Sequence, residues 1–431
     1  MQHQTRIREI ATFLHTITPI WQDEILHSYP KYKENYPKSW VQELSLLTEE
    51  ELYLVDSRQD YSSLKNHEFK EFINSIQKLC HISAHTHDIK ELPSWAFHKV
   101  KEKKRHEIAT LASYIGQLQE KYPINQVVDI GGGVGHLARI LAFYYQIDAT
   151  SIDQDLKLQI MGKARLKKYP KPDHGKSVQF INAIFGEESK EKKIQINEKF
   201  KGNVLTIGLH TCGPLAIRHM QRSLEQKSLL ILNFGCCYNK LDSKKEVNLS
   251  RYSKELNIKI SGHALTLATR GHNKMSHKDY LLKKNVKKFR YTLHLLLKEK
   301  FNIFTFVTVG EASSKAYNCH FSDYALKKLK ILNIEHGLMP KDLDNFFNRS
   351  DVQDEVRYMF LCNIIRWQLG RVMELYLLLD RVLWLNENNY DANINEYFNS
   401  SLSPRNIGIT AKRTHEGEQK SVKVAVKKRK A

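Results

Sequence analysis

Ten residues, Val127-Val128-Asp129-Ile130-Gly131-Gly132-Gly133-Val134-Gly135-His136, constrain this chain more than any other segment. A short apolar run carrying one acid leads straight into a glycine cluster, and a helical apolar pattern follows over 136–145. Glycine permits positive φ and lets the backbone approach a ligand with no side chain in the way. A strand ending in such a turn and resuming as a helix delivers Asp129 to the carboxyl edge of a sheet, where open α/β folds bind ligands. The segment therefore predicts both a parallel sheet and a site.

The surrounding pattern agrees. Segments 149–152, 178–181, 204–209 and 229–234 read as further strands with helical stretches between most of them, which implies a parallel sheet covered on both faces. Residues 1–120 read as a helical N-terminal region, with apolar spacings at Ile10, Phe13, Leu14 and Ile17 and at Phe69, Phe72, Ile73 and Ile76. Thr48 before Glu49, Glu50 and Glu51 is a helix start, and Trp21, Trp40 and Trp95 are expected to anchor this layer. The core is expected over 121–310, closing with an amphipathic helix at 279–300 and a sixth strand at 301–309. A helical insertion at 311–400, a last strand within 401–412 and a disordered basic tail at 413–431 complete the expected order. The insertion then falls between the two final strands.

Charge narrows the partners. The chain of 431 residues carries a formal net charge of +20, and the stretch from Ala411 onward accounts for +6 of it. Such a balance favours a polyanion, with RNA or ribonucleoprotein the leading expectation, although lysine-rich usage also serves plain solubility. The run Lys427-Lys428-Arg429-Lys430 reads as a nuclear address or nucleic-acid arm. No stretch is apolar enough to span a bilayer, and the first ten residues lack the core of a secretory signal. Six cysteines form no disulfide framework, so a cytoplasmic or nuclear setting is expected, with no membrane partner.

The acids sharpen the ligand. Asp129 beside glycines 131, 133 and 135 suits a cationic ligand with an amino-acid tail, because a carboxylate there repels a pyrophosphate. Gly133-Val134-Gly135-His136-Leu137-Ala138 also matches the dinucleotide fingerprint, with Asp153 about 20 residues on. Under either reading Asp153 is placed to accept ribose hydroxyls, and Asn182 falls where an adenine amino group is received.

Two later segments carry a resemblance. Leu209-His210-Thr211-Cys212-Gly213 and Gly235-Cys236-Cys237-Tyr238 each leave a strand into a polar cluster. Together with the glycine segment (127–135), Ala-Thr-Arg (268–270), 290–297, 371–376 and Leu-Ser-Pro-Arg-Asn (402–406), they resemble the methyltransferase-like protein 25 family, which includes ribosomal RNA adenine dimethylase domain-containing relatives. The resemblance implies a class I methyltransferase fold: a Rossmann-like sheet with helices on both faces, a helical N-terminal region and a helical C-terminal insertion. It also implies S-adenosylmethionine as methyl donor. The chain departs from the family at 101–107, where Met-Ser-Pro is usual before the basic pair, and at Asn239, where histidine is common. The Asn/Asp-Pro-Pro-Tyr/Phe motif of adenine-amine methylation is absent, and His210-Thr211-Cys212-Gly213 stands in its place.

Methyl transfer needs an aligned nucleophile and a group that takes or tolerates its proton. His210 is the candidate base, or else a cleft-wall histidine, and Tyr238 the candidate aromatic contact, or else an ordinary core ring. Cys212, Cys236 and Cys237 are expected as small thiols lining the substrate side, with Lys104 and Arg105 as substrate contacts. No cysteine spacing has the paired form of a zinc site and the histidines at 81, 85 and 87 lack carboxylate partners, so no metal is expected. Two other functions stay open: a ribosome- or RNA-binding adaptor without turnover, and a nicotinamide-dependent oxidoreductase.

Overall fold

A seven-stranded sheet organises the chain in the computed structural model, which describes residues 2–270 and 274–414. The basic run at 427–430 and the expected tail beyond 414 lie outside the described residues. Strands β1 (Gln126–Ile130), β2 (Asp148–Asp153), β3 (Val178–Asn182), β4 (Val204–Cys212) and β5 (Leu230–Cys236) run parallel. Strands β6 (Tyr390–Glu396) and β7 (Ile407–Arg413) extend one edge, with β7 antiparallel to both its neighbours. The order β3-β2-β1-β4-β5-β7-β6 reverses direction between β1 and β4. That reversal opens a crevice at the carboxyl ends of those two strands, the usual ligand position in such sheets.

The strands are apolar on both faces because helices cover both. Val127, Leu205, Leu232 and Phe234 pack with Ile108, Leu111 and Ile115 of the helix Glu102–Lys121 and with Leu137 and Leu141 of the helix His136–Tyr144. Val128, Ile130, Ile152 and Val204 join Ile181, Phe185, Ile196 and Phe200 in a second cluster. Consecutive residues of β1 thus feed opposite clusters, as the period of two requires.

The expected sixth strand at 301–309 does not form. The helix His277–Phe301 ends at Asn302 in the left-handed conformation (φ 54°), and buried Lys328 donates its ammonium hydrogens to the carbonyls of Val309, Gly310 and Glu311. Of these carbonyls, Val309 is the last of the run and Gly310 and Glu311 lie beyond it, and residues 302–309 join no ladder. The sixth strand is instead Tyr390–Glu396, so the helical insertion lies between β5 and β6 and not between the two final strands.

The chain also divides otherwise than into consecutive blocks at 120, 310 and 400. One compact unit comprises residues 2–12, 81–265 and 374–414 and holds the whole sheet; the other comprises 13–80 and 266–373, within the described residues. The second unit is helical. Thr48 and Glu51 cap the helix Glu49–Tyr53 reciprocally, and Trp40 stacks on Phe69 at 5.0 Å. Trp21 is buried, whereas Trp95, in the sheet unit, is 41% exposed and anchors nothing of that layer. Three lysines of the helix His277–Phe301 pair with acids of the same unit: Lys283 with the buried Asp56 side chain at 2.8 Å, Lys287 with Glu24 at 3.2 Å and, nearer the surface, Lys284 with Glu49 at 2.6 Å. No helix among the described residues is long and apolar enough to cross a membrane.

Candidate active site

The glycine segment folds into a turn that only this composition allows. Gly131, Gly133 and Gly135 have φ of 73°, 58° and 69°, and a side chain at Gly132 would strike the Asp129 carboxylate and the Ser151 hydroxyl. Asp129, paired in register with Ser151 and Ile207, is therefore roofed by the turn. Burial pushes its carboxyl up to about 7, Lys104 opposing and Asp153 adding to the shift. A buried acid that resists ionisation is relieved by a cation placed beside it. The Ser151 hydroxyl next to it is buried and has no hydrogen-bond partner among the described residues.

Asp153 closes β2 directly under the turn, accepting the Gly133 amide at 2.9 Å and the Asp155 amide at 2.8 Å. A carboxylate has about four acceptor positions, so hydroxyl donors can still be received. Asn182 ends β3 beside it, but its amide nitrogen is committed to the carbonyls of Asp153 and Gln154 at 3.0 and 2.9 Å. What it can offer an adenine is its side-chain carbonyl oxygen.

Across the switch point, β4 and β5 lose register between Leu209 and Thr211, and the residue squeezed out is His210 with φ 60°. A bulge at a strand end re-aims one side chain, and a left-handed residue with a Cβ is strained. His210 is aimed at a partner that the linear sequence hides. Its Nε2 meets Oε1 of buried Glu107 at 2.9 Å, and the Ser403 hydroxyl donates to the same oxygen at 2.6 Å. Burial opposes ionisation of Glu107, but the hydrogen bond and charge of His210, the Ser403 hydroxyl and Lys103 outweigh it and hold the carboxyl below its usual range. Glu107 sits inside a basic run of the sequence. Its signal was phase, since it falls four residues before Leu111 and so on the buried stripe of its helix.

The other expected side chains divide. Tyr238 is buried, its hydroxyl 3.5 Å from both the Gly235 carbonyl and the Glu374 carboxylate, which in turn accepts from Arg405 at 3.1 Å. Burial and the Glu374 charge keep it a neutral phenol, and a ring so enclosed is no stacking platform or base. Lys104 approaches Asp129 electrostatically, whereas Arg105 lies over the Phe97 ring at 5.4 Å. The thiols of Cys212, Cys236 and Cys237 converge, all within 4.8 Å of one another. Hydrogen bonding from Cys236 shifts the Cys212 thiol down, making it the most acidic of the three.

The sheet order and helices on both faces are those of the class I methyltransferase fold. A family model described as a methyltransferase domain matches residues 103–244, the span that contains Glu107, the glycine turn and the ends of β4 and β5. Within that class the chain resembles the methyltransferase-like protein 25 family: it is 31% identical over 104 residues to the Homo sapiens protein named probable methyltransferase-like protein 25. That alignment spans 23% of this chain and 17% of the relative. The X-ray structure of YjhP from E. coli aligns with 32% of this chain and 52% of its own, at 16% identity and a TM-score of 0.21.

Proposed function

We propose that this chain transfers a methyl group from S-adenosylmethionine to RNA or to an RNA-associated protein. The observation that carries the donor is Asp129, a buried carboxyl held under a positive-φ glycine turn, where a cation is welcome and a pyrophosphate is not. The turn and Asp129 would hold the amino-acid part of the donor, Asp153 its ribose and the Asn182 carbonyl its adenine. When bound, the donor supplies an electrophilic methyl carbon.

The chain's own task is then to align an acceptor and take its proton. His210 stands at the end of the neighbouring strand, and Glu107 fixes its Nε2 side and stabilises the cation it becomes. Its other nitrogen, Nδ1, is the one left to receive the proton. Exposed Lys99, Lys101, Lys103, Lys104 and Arg105 gather just before and along the start of the helix that carries Glu107, which supports a polyanionic acceptor.

Calorimetric titration with S-adenosylmethionine, S-adenosylhomocysteine and NAD tests the donor. Micromolar binding of the first two, lost in Asp129→Ala with the fold retained, is expected. Saturable NAD binding, or no binding of either sulfur ligand, would sink the reading. Methyl transfer from radiolabelled donor into cellular RNA or ribonucleoprotein, absent in His210→Ala, tests the acceptor class.

A further inference from the structure

The three cysteines at the ends of β4 and β5 have an arrangement their spacing in the chain conceals. Cys212 and Cys236 are 24 residues apart, yet they are the terminal residues of adjacent parallel strands and face one another in register. Their sulfurs lie 3.4 Å apart. Cys237 follows in the left-handed conformation (φ 50°), the turn that returns its side chain to the same point. All three sulfurs fall within 4.8 Å of one another, the one such cluster of potential ligands among the described residues.

We propose that Cys212, Cys236 and Cys237 form a binding site for a soft divalent cation, zinc foremost. Zinc–thiolate bonds of about 2.3 Å set ligand sulfurs roughly 3.8 Å apart in a tetrahedron, so the observed trio closes on an ion with shifts of about an ångström. Three protein ligands with the fourth position open are the pattern of a zinc that can hold an exchangeable water or a substrate atom. The exposure agrees, since Cys236 is buried while Cys212 and Cys237 are partly open. Two ligands ride on hydrogen-bonded strands and the third on a constrained turn, the rigidity that ligand placement needs. The sequence predicts no metal because it has no paired cysteines in one segment and no carboxylate partners for the histidines at 81, 85 and 87. Here the sheet register, not a local motif, supplies the set. Binding releases the thiol protons as the sulfur–metal bonds form, with no change of oxidation state.

This site stands independently of the methyl-donor reading, and the two are measured separately on one preparation. Full-length protein purified with reductant and without chelator is assayed for zinc by mass spectrometry of the elements, then stripped and titrated with cobalt. About one zinc per chain is expected, falling at least tenfold in Cys212→Ser and in Cys237→Ser but unchanged in Cys319→Ser, an exposed cysteine elsewhere. Cobalt should give a thiolate charge-transfer band and intense visible transitions in the wild type. That optical reading keeps the test decisive if a serine variant fails to fold. Reduced, folded wild type that takes up neither ion at micromolar concentration would overturn the proposal. So would alkylation mapping that finds a Cys212–Cys236 disulfide in the isolated protein, or zinc retained in the serine variants.

Discussion

His210 and Cys237 both carry left-handed strain at the ends of β4 and β5, and His210 uses it to aim its ring. A Cβ-bearing residue held at φ 60° costs roughly 1–2 kcal/mol, and here it serves to turn an imidazole onto a buried carboxylate. Replacing it with glycine removes the strain, while alanine keeps the strain and loses the ring. His210→Gly should therefore be more stable than His210→Ala by about 1 kcal/mol in urea denaturation, with both unable to transfer a methyl group. The reverse ranking would mean that the bulge is not strained. With His210 as the proposed base, Glu107 acts through it as a positioning residue. Glu107→Gln should lower kcat by about ten- to a hundredfold with KM little changed, and Glu107→Asp should restore part of the loss. An equal effect on KM would assign Glu107 to substrate binding instead.

If Asp129 holds the donor as proposed, binding depends on pH in a definite direction. Its carboxyl is raised to about 7 by burial, well above its unfolded value, so the folded chain holds this proton more tightly than the unfolded chain does. Its contribution to stability is full below about pH 4 and is lost as pH rises through 7. A cationic ligand needs the carboxylate and must displace the proton below that point. Affinity for S-adenosylmethionine should thus fall as pH drops from 8 to 6, up to tenfold per unit. Calorimetry in buffers of different ionisation enthalpy should register proton release at pH 6 and little at pH 8. Flat affinity across this range would remove Asp129 from the binding site.

At the scale of elements, local composition and packing share the decisions unequally. β1 and the helix after it were legible because glycine, acid and apolar runs each point to the same strand-turn-helix, and β2 to β5 repeat its buried pattern. The run at 301–309 has strand composition yet builds none: the helix His277–Phe301 takes its first residue, and the Ile303 amide donates back to the Leu297 carbonyl of that helix at 3.1 Å. β6, which reads Tyr-Asp-Ala-Asn-Ile-Asn-Glu, alternates buried and exposed residues at the sheet edge, too polar a sequence to announce itself inside a presumed helical block. The helix His277–Phe301 shows the same limit for charge. Its lysines read as a solvent face, but Lys283 lies over the Trp367 ring and pairs with Asp56, whose side chain is fully buried. Asp56→Ala strands a largely buried ammonium and should cost about 3–5 kcal/mol in chemical denaturation. Adding Lys283→Met should recover a good part of that cost; if it does not, the pair is not coupled.

At the scale of the whole molecule, the net charge of +20 already counts Asp56, Glu49 and Glu24, so their pairs with Lys283, Lys284 and Lys287 add nothing to it and the excess lies on other cations. The exposed cluster at Lys99, Lys101, Lys103, Lys104 and Arg105 is in the sheet unit, on the approach to Glu107. If it receives RNA, observed affinity should fall linearly with the logarithm of salt concentration. Replacing Lys101 and Lys103 with glutamine should reduce that slope by roughly one to two units. Lys283→Gln should leave the slope unchanged. Salt-independent binding, or an equal effect of Lys283→Gln, would remove this surface from the interface.

In the sequence itself, consecutive residues carry the class of fold and the acid-and-glycine edge of the crevice. They are a strand, its terminal acid and the glycines that must follow it, with the second acid one βα unit on. Tertiary structure alone decided the rest. Glu107 reaches His210 across 103 positions, Ser403 reaches Glu107 across 296, and Cys212 finds Cys236 only because β4 and β5 lie in register. The division into two interleaved units is equally invisible along the chain. Backbone geometry is set within a few residues, whereas pairings between side chains depend on which strand ends the sheet order sets side by side.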